Sequence, residues 1–141
     1  MTALSKEILE KYEEAGRIAS KVREQMRRIV KEGMPIIQIC EKAEETIRRM
    51  GGKPAFPLNI SINEIAAHYT PEENEETIIK ETDLVKIDIG VHIDGYIADS
   101  AISINIANNH AKLIEASQQA LENVKSIFPE QIFISECKVN H

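Results

Sequence analysis

The stretch Lys86–Ser100, KIDIGVHIDGYIADS, decides the fold of this chain. Every aspartate of the protein (Asp83, Asp88, Asp94 and Asp99) falls inside it or just before it. Leu84 to Ile93 and Tyr96 to Ile106 are rich in β-branched residues. The Asp94-Gly95 pair between them is the signature of a two-residue type I′ hairpin loop. With that pair as the loop, Ile93 faces Tyr96, His92 faces Ile97, Gly90 faces Asp99 and Asp88 faces Ala101. Paired residues share a face of the sheet, and side chains alternate along each strand. Asp88, Gly90 and His92 therefore lie on one face with Ile97, Asp99 and Ala101. Asp88 and Asp99 become diagonal neighbours there, roughly 7–8 Å apart at the backbone. Gly90, opposite Asp99, removes a side chain that would crowd it.

Two carboxylates this close repel each other, or share a proton, unless a cation neutralises them. Oxygen-rich divalent sites and two-metal hydrolytic sites are built from such pairs. The hairpin alone also allows a plainer reading, in which both aspartates simply face solvent. A register shifted by one residue would put them on opposite faces.

Upstream, Ser5 is placed to cap a long helix. Ile8, Tyr12, Ala15, Ala19, Val22, Met26 and Ile29 recur on it at three- and four-residue steps, and it ends near Gly33. A second helix is expected from Pro35 to Met50, stopped by Gly51-Gly52. Ile36, Ile39, Cys40, Ala43 and Ile47 form its buried side, so Cys40 reads as a small core residue. Pro54 and Pro57 flank Phe56 and make that entry extended. Leu58, Ile60 and Ile62 then alternate as a short strand. Glu72 to Glu76 is an acidic surface loop, and Asp83 a loop residue before the hairpin. Asn108-Asn109 closes the hairpin's second strand. A third helix runs from His110 to Ile127, with Leu113, Ile114, Ala116, Ala120, Leu121 and Val124 mostly on one side. The order of elements implies an α+β fold, an antiparallel sheet with helices on one face.

The chain has 141 residues, enough for one domain with a core. Its net charge of −6 argues against nucleic acid or an anionic membrane as the main partner. No apolar run approaches the roughly 20 residues of a membrane span. The N-terminus lacks a secretory pattern, and Cys40 and Cys137 make no disulfide framework. A cytoplasmic setting is expected.

His68, in the segment AAHYTP, follows two alanines that allow close approach of a ligand. A histidine beside an apolar segment can equally be structural. His92 shares the face of the two aspartates and is a candidate ligand, a group supporting one, or a cross-strand partner pointing elsewhere. His110 reads as a surface residue.

The segments GKPAFPLNISINEIAAHYTP (52–71) and DLVKIDIGVHIDGYIADSA (83–101) resemble the type 2 methionine aminopeptidases, particularly the archaeal form. The similarity runs from the first helix to about Val124. It implies half of a pita-bread fold, with residues 1–127 as its N-terminal half. Under this resemblance Asp88 and Asp99 bind two divalent metal ions, of cobalt, manganese, iron or zinc. His68 becomes a catalytic residue that contacts the substrate near the scissile bond. Phe56 lines the pocket for the methionine side chain. The implied reaction is metal-assisted hydrolysis after the N-terminal methionine of nascent polypeptides, with the ribosome as a further partner.

The family's remaining metal ligands, a histidine and two glutamates, belong to the C-terminal half of its fold, and no motif here matches them. Residues 128–141, FPEQIFISECKVNH, drift from the family pattern and read as a divergent or truncated tail. The expectation is an N-terminal piece of the enzyme that is inactive alone. The alternatives are a half-enzyme completed by another chain or a second copy, and a non-enzymatic binding module. A half-fold also leaves sheet surface exposed, which favours self-association.

Overall fold

A computed structural model describes residues 4–127. The chain divides at Asn109/His110 into two units. In the first, helix α1 spans Lys6–Ile29 and α2 spans Ile36–Arg49. Strands β1 (Lys53–Pro54), β2 (Asn59–Ile62), β3 (Leu84–Ile93) and β4 (Tyr96–Asn105) follow.

The Ser5 hydroxyl caps α1, accepting from the Ile8 N–H at 3.3 Å. Ala15, Ile18, Ala19, Val22 and Met26 are its buried residues. The helix stops at Ile29, short of Gly33, which sits at φ +81° in the turn that follows. Gly51 ends α2 with φ +90°, a left-handed conformation that a side chain would strain. As read from its spacing, α2 buries Ile36, Ile39, Cys40, Ala43 and Ile47.

β3 is the shared strand of an antiparallel sheet. It pairs with β4 along its whole length, in the register the Asp94-Gly95 loop dictates: Ile93 opposite Tyr96, Gly90 opposite Asp99, Asp88 opposite Ala101. Asp94 at φ +51° and Gly95 at φ +89° give the turn its two left-handed positions. With β4 on one edge, β1 and β2 pair with successive stretches of the other: Lys53 opposite His92, then Asn59 opposite Asp88. Between these ladders, Ala55–Leu58 on one side oppose only Ile89 and Gly90 on the other. The excess makes a bulge. α2 holds its far end from both sides: the Leu58 N–H donates to Glu44 Oε1 at 3.2 Å, and the Cys40 thiol lies 3.9 Å from the Leu58 carbonyl.

Val85, Ile87, Ile89 and Val91 point to one face and are fully buried. They form a single core with α1, which packs on β3 and β4, and α2, which packs on β1 and β2. The opposite face carries Asp88, Gly90, Asp99 and Ala101. The alternation expected for β2 is broken at Ser61, which is buried along with Ile60. The chain returning from the next loop runs along β2, with the Ile60 N–H donating to the Tyr69 carbonyl at 2.7 Å.

Asp83 is not a simple loop residue. It is buried, and its carboxylate accepts from Asn63 Nδ2 at 2.9 Å and from the Lys80 N–H at 2.8 Å. The Asn63 amide oxygen in turn accepts from the Leu84 N–H at 2.9 Å. This knot closes the long connection between β2 and β3.

In the second unit, α3 spans Ala111–Ile127, and the His110 carbonyl accepts from the Leu113 and Ile114 N–H groups. None of its residues is buried, and Leu113, Leu121 and Val124, placed on one side by their spacing, are exposed. The expected tail, 128–141, lies outside the described residues.

Candidate metal centre

Asp88 and Asp99 project from adjacent strands onto the face of the sheet opposite the one that α1 and α2 cover. Asp88 is half-buried and Asp99 exposed. They are diagonal neighbours across the β3–β4 ladder, Asp99 opposite Gly90 and Asp88 opposite Ala101. The Asp99 carboxyl is held above the usual carboxylate range, first by desolvation of the carboxyl group itself, then by the hydrogen bond and the negative charge of Asp88. The Ser100 backbone N–H acts in the opposite direction. This is how two anions forced together behave, and the same pair offers oxygen donors to a hard divalent cation. The donor chemistry fits such a cation in part. Among the described residues, no group of three histidine, cysteine or acidic side chains converges.

Gly90 has a different role from the one its place opposite Asp99 suggests. The Phe56 ring lies where its side chain would be: a Cβ on Gly90 would stand 2.2 Å from Phe56 Cε1. The bulge carries Phe56 out of the β1–β2 edge and lays its ring on β3, on the face of the two aspartates. A flat aromatic surface thus sits next to the carboxylate pair.

His92 is not aimed at the aspartates. Its Nδ1 accepts from the Gly95 N–H at 3.0 Å and closes the hairpin loop. The alternation gave its face correctly, but the nearest unsatisfied donor was the turn's own amide.

His68 is exposed and adopts φ +64°, uncommon for a residue with a side chain. The two residues after it are fixed to β2. Tyr69 accepts from Ile60, and the Thr70 hydroxyl donates to Asn59 Oδ1 at 2.7 Å. Asn59 is the residue paired with Asp88. The loop bearing His68 is therefore tied to the strand beside the carboxylate pair. Sequence reasoning overlooked Asn59 and Thr70 because nothing local marks a tie across eleven positions.

The model for metallopeptidase family M24 matches residues 10–136. The chain belongs to this family. Among proteins similar to it, a methionine aminopeptidase of Pyrococcus horikoshii is 46% identical over 91% of this chain and 43% of its own length. One of Methanocaldococcus jannaschii is 51% identical over 85% of this chain and 41% of its own. The chain thus spans less than half the length of these curated relatives. Among solved structures, the Thermotoga maritima methionine aminopeptidase superposes with a TM-score of 0.78 at 22% identity, over 87% of this chain and 53% of that one. That likeness concerns the fold: α+β, about half of the pita-bread architecture.

Proposed function

We propose that this chain supplies the N-terminal part of a type 2, archaeal-like methionine aminopeptidase site, acting on the N-terminal methionine of new polypeptides in the cytoplasm. The observation that carries the reading is the convergence of Asp88 and Asp99 on the face opposite α1 and α2, beside the Phe56 ring. The identity with archaeal relatives supports the type.

In this reading Asp88 and Asp99 hold divalent metal ions through their carboxylate oxygens. Such ions, when bound, polarise the scissile carbonyl and make water nucleophilic at neutral pH. The carboxylates also fix where a positively charged α-amine can approach. Phe56 presents its ring to the methionine side chain, whose thioether gains about 0.3–1.5 kcal/mol from an aromatic contact. His68, on the loop that Tyr69 and Thr70 tie to β2, would offer an imidazole N–H to the substrate carbonyl as negative charge develops there. Two carboxylates alone are a weak divalent site, so turnover requires the histidine and glutamate ligands that the family resemblance implies.

The test is release of methionine from a Met-Ala-Ser peptide with added cobalt or manganese. The chain is assayed alone and mixed with the C-terminal part of the Pyrococcus horikoshii relative. Turnover in the mixture only, lost on Asp99→Ala, supports the proposal. Turnover indifferent to Asp99→Ala, or none in either sample, overturns it.

A further inference from the structure

The acidic run Glu72–Glu76 was expected to be a solvated loop, and Glu72, Glu73 and Glu76 are exposed as such a loop requires. Glu75 differs. The Tyr69 hydroxyl donates to its Oε2, and the Thr77 N–H donates to its Oε1 at 3.0 Å together with the Thr77 hydroxyl. Both carboxylate oxygens are thus engaged, one toward each end of the loop.

Each end is anchored elsewhere. On one side Tyr69 is bound through its carbonyl to Ile60 of β2. On the other, the Thr77 carbonyl accepts from the Ile36 N–H at 3.0 Å, where α2 begins, and the Ile79 N–H donates to the Met34 carbonyl at 2.9 Å. Glu75 therefore joins β2 to the start of α2 across the loop. His68 immediately precedes Tyr69 and holds a left-handed φ, a conformation that costs about 1–3 kcal/mol and persists only where neighbouring contacts over-determine it. The Tyr69 ring, with its hydroxyl on Glu75 and its carbonyl on Ile60, is the nearest such constraint.

We infer that Glu75 is the positioning residue of the His68 loop, holding Tyr69 so that His68 keeps its left-handed backbone beside β2. Those hydrogen bonds also hold the Glu75 carboxyl below the usual carboxylate range, with Thr77 the larger influence and Tyr69 next. The functional meaning rests on the reading of His68 as a substrate contact. The conformational claim does not.

The test uses the labelled 141-residue chain by NMR. In Glu75→Ala, the strong intraresidue NOE that reports the left-handed φ of His68 is lost. Amide exchange of Ile60 rises about tenfold or more, while Ile87 and Ile89 in β3 keep their protection, because loops open independently of core strands. Glu75→Gln retains both signatures, since a side chain of the same length still hydrogen-bonds the Tyr69 hydroxyl at one end and Thr77 at the other. An unchanged His68 signature with unchanged Ile60 exchange in Glu75→Ala overturns the inference. If that variant also loses the protection of β3, Tyr69→Phe decides: an altered His68 signature upholds the inference and an unaltered one ends it. Methionine release by the mixture described above, indifferent to His68→Ala, would remove the functional reading alone.

Discussion

The Phe56 ring occupies the space in which a side chain at Gly90 would stand, with only 2.2 Å between Phe56 Cε1 and the position of a Gly90 Cβ. The two residues are 34 positions apart in the chain, and the bulge at Ala55–Leu58 brings them together. Gly90→Ala should therefore displace the ring and cost about 1–3 kcal/mol of stability, the range for overpacking. In a Phe56→Ala background the same change should be nearly neutral. Urea denaturation of the two single variants and the double variant measures the coupling. An additive cycle would show that ring and glycine do not compete for space.

Asp83 and Asn63 make a second long-range pair, joined at 2.9 Å. Replacing Asp83 by Ala leaves the Lys80 N–H and the Asn63 amide without their acceptor. Both donors sit on exposed residues that water can reach, so the loss is that of hydrogen bonds to a charged acceptor, about 1.5–3 kcal/mol each. Asp83→Ala is expected to lower the denaturation midpoint clearly. Asp99→Ala, on the face opposite α1 and α2, should not. Equal losses in the two would contradict the assignment of Asp83 to the structure and Asp99 to the site.

The hairpin and its register were legible because two local signals coincide there. Asp94-Gly95 fixes the loop, and alternation then places every residue from Asp88 to Ala101 on a face. The helices were legible for a similar reason, through their caps and the period of their apolar residues. What escaped depends on partners far along the chain. Spacing reveals which face His92 occupies, but not that the Gly95 amide already holds its imidazole. Asp83 looks like a loop residue until Asn63, twenty positions earlier, is brought against it. Phe56 entered through the family resemblance alone, because the two-residue excess that lays it on Gly90 appears only when β1 and β2 are paired with β3. Glu75 was lost among similar acidic neighbours, since its partners Tyr69 and Thr77 mark it only once the loop is closed.

Cys40 gives a prediction about reactivity. Burial, followed by the nearby charges of Glu44 and Glu41, pushes its thiol up to about 12. An ordinary cysteine lies near ~8.5, so at pH 8 the thiolate needed for alkylation is scarce in the folded protein. The folded state keeps a proton that the unfolded chain releases above about pH 8.5. Stability from this group is thus intact below that pH and falls as pH rises toward 12. Iodoacetamide labelling of Cys40, followed peptide by peptide by mass spectrometry, should be slow at pH 8 and become fast in urea. Rapid labelling of the folded chain would contradict the buried position of Cys40 behind the bulge.

The carboxylate pair leads to opposite expectations for stability and for binding. Without a cation, desolvation of its carboxyl group makes Asp99 hard to ionise, and the negative charge of Asp88 adds to the difficulty. Asp99→Asn removes one negative charge while keeping the shape and a hydrogen-bonding group. In buffer with a chelator at pH 7, this variant should unfold at a temperature equal to or above that of the parent chain. With millimolar manganese the order should reverse. The cation binds the folded parent and raises its midpoint in proportion to the logarithm of its concentration over its dissociation constant, whereas the variant has lost half of the donor pair. Thermal scans of both proteins, with chelator and across a manganese series, separate the two effects. A variant less stable than the parent in chelator would mean that the pair is a structural hydrogen bond and not a repulsive site that favours a cation. A variant that still responds to manganese as the parent does would place the cation elsewhere.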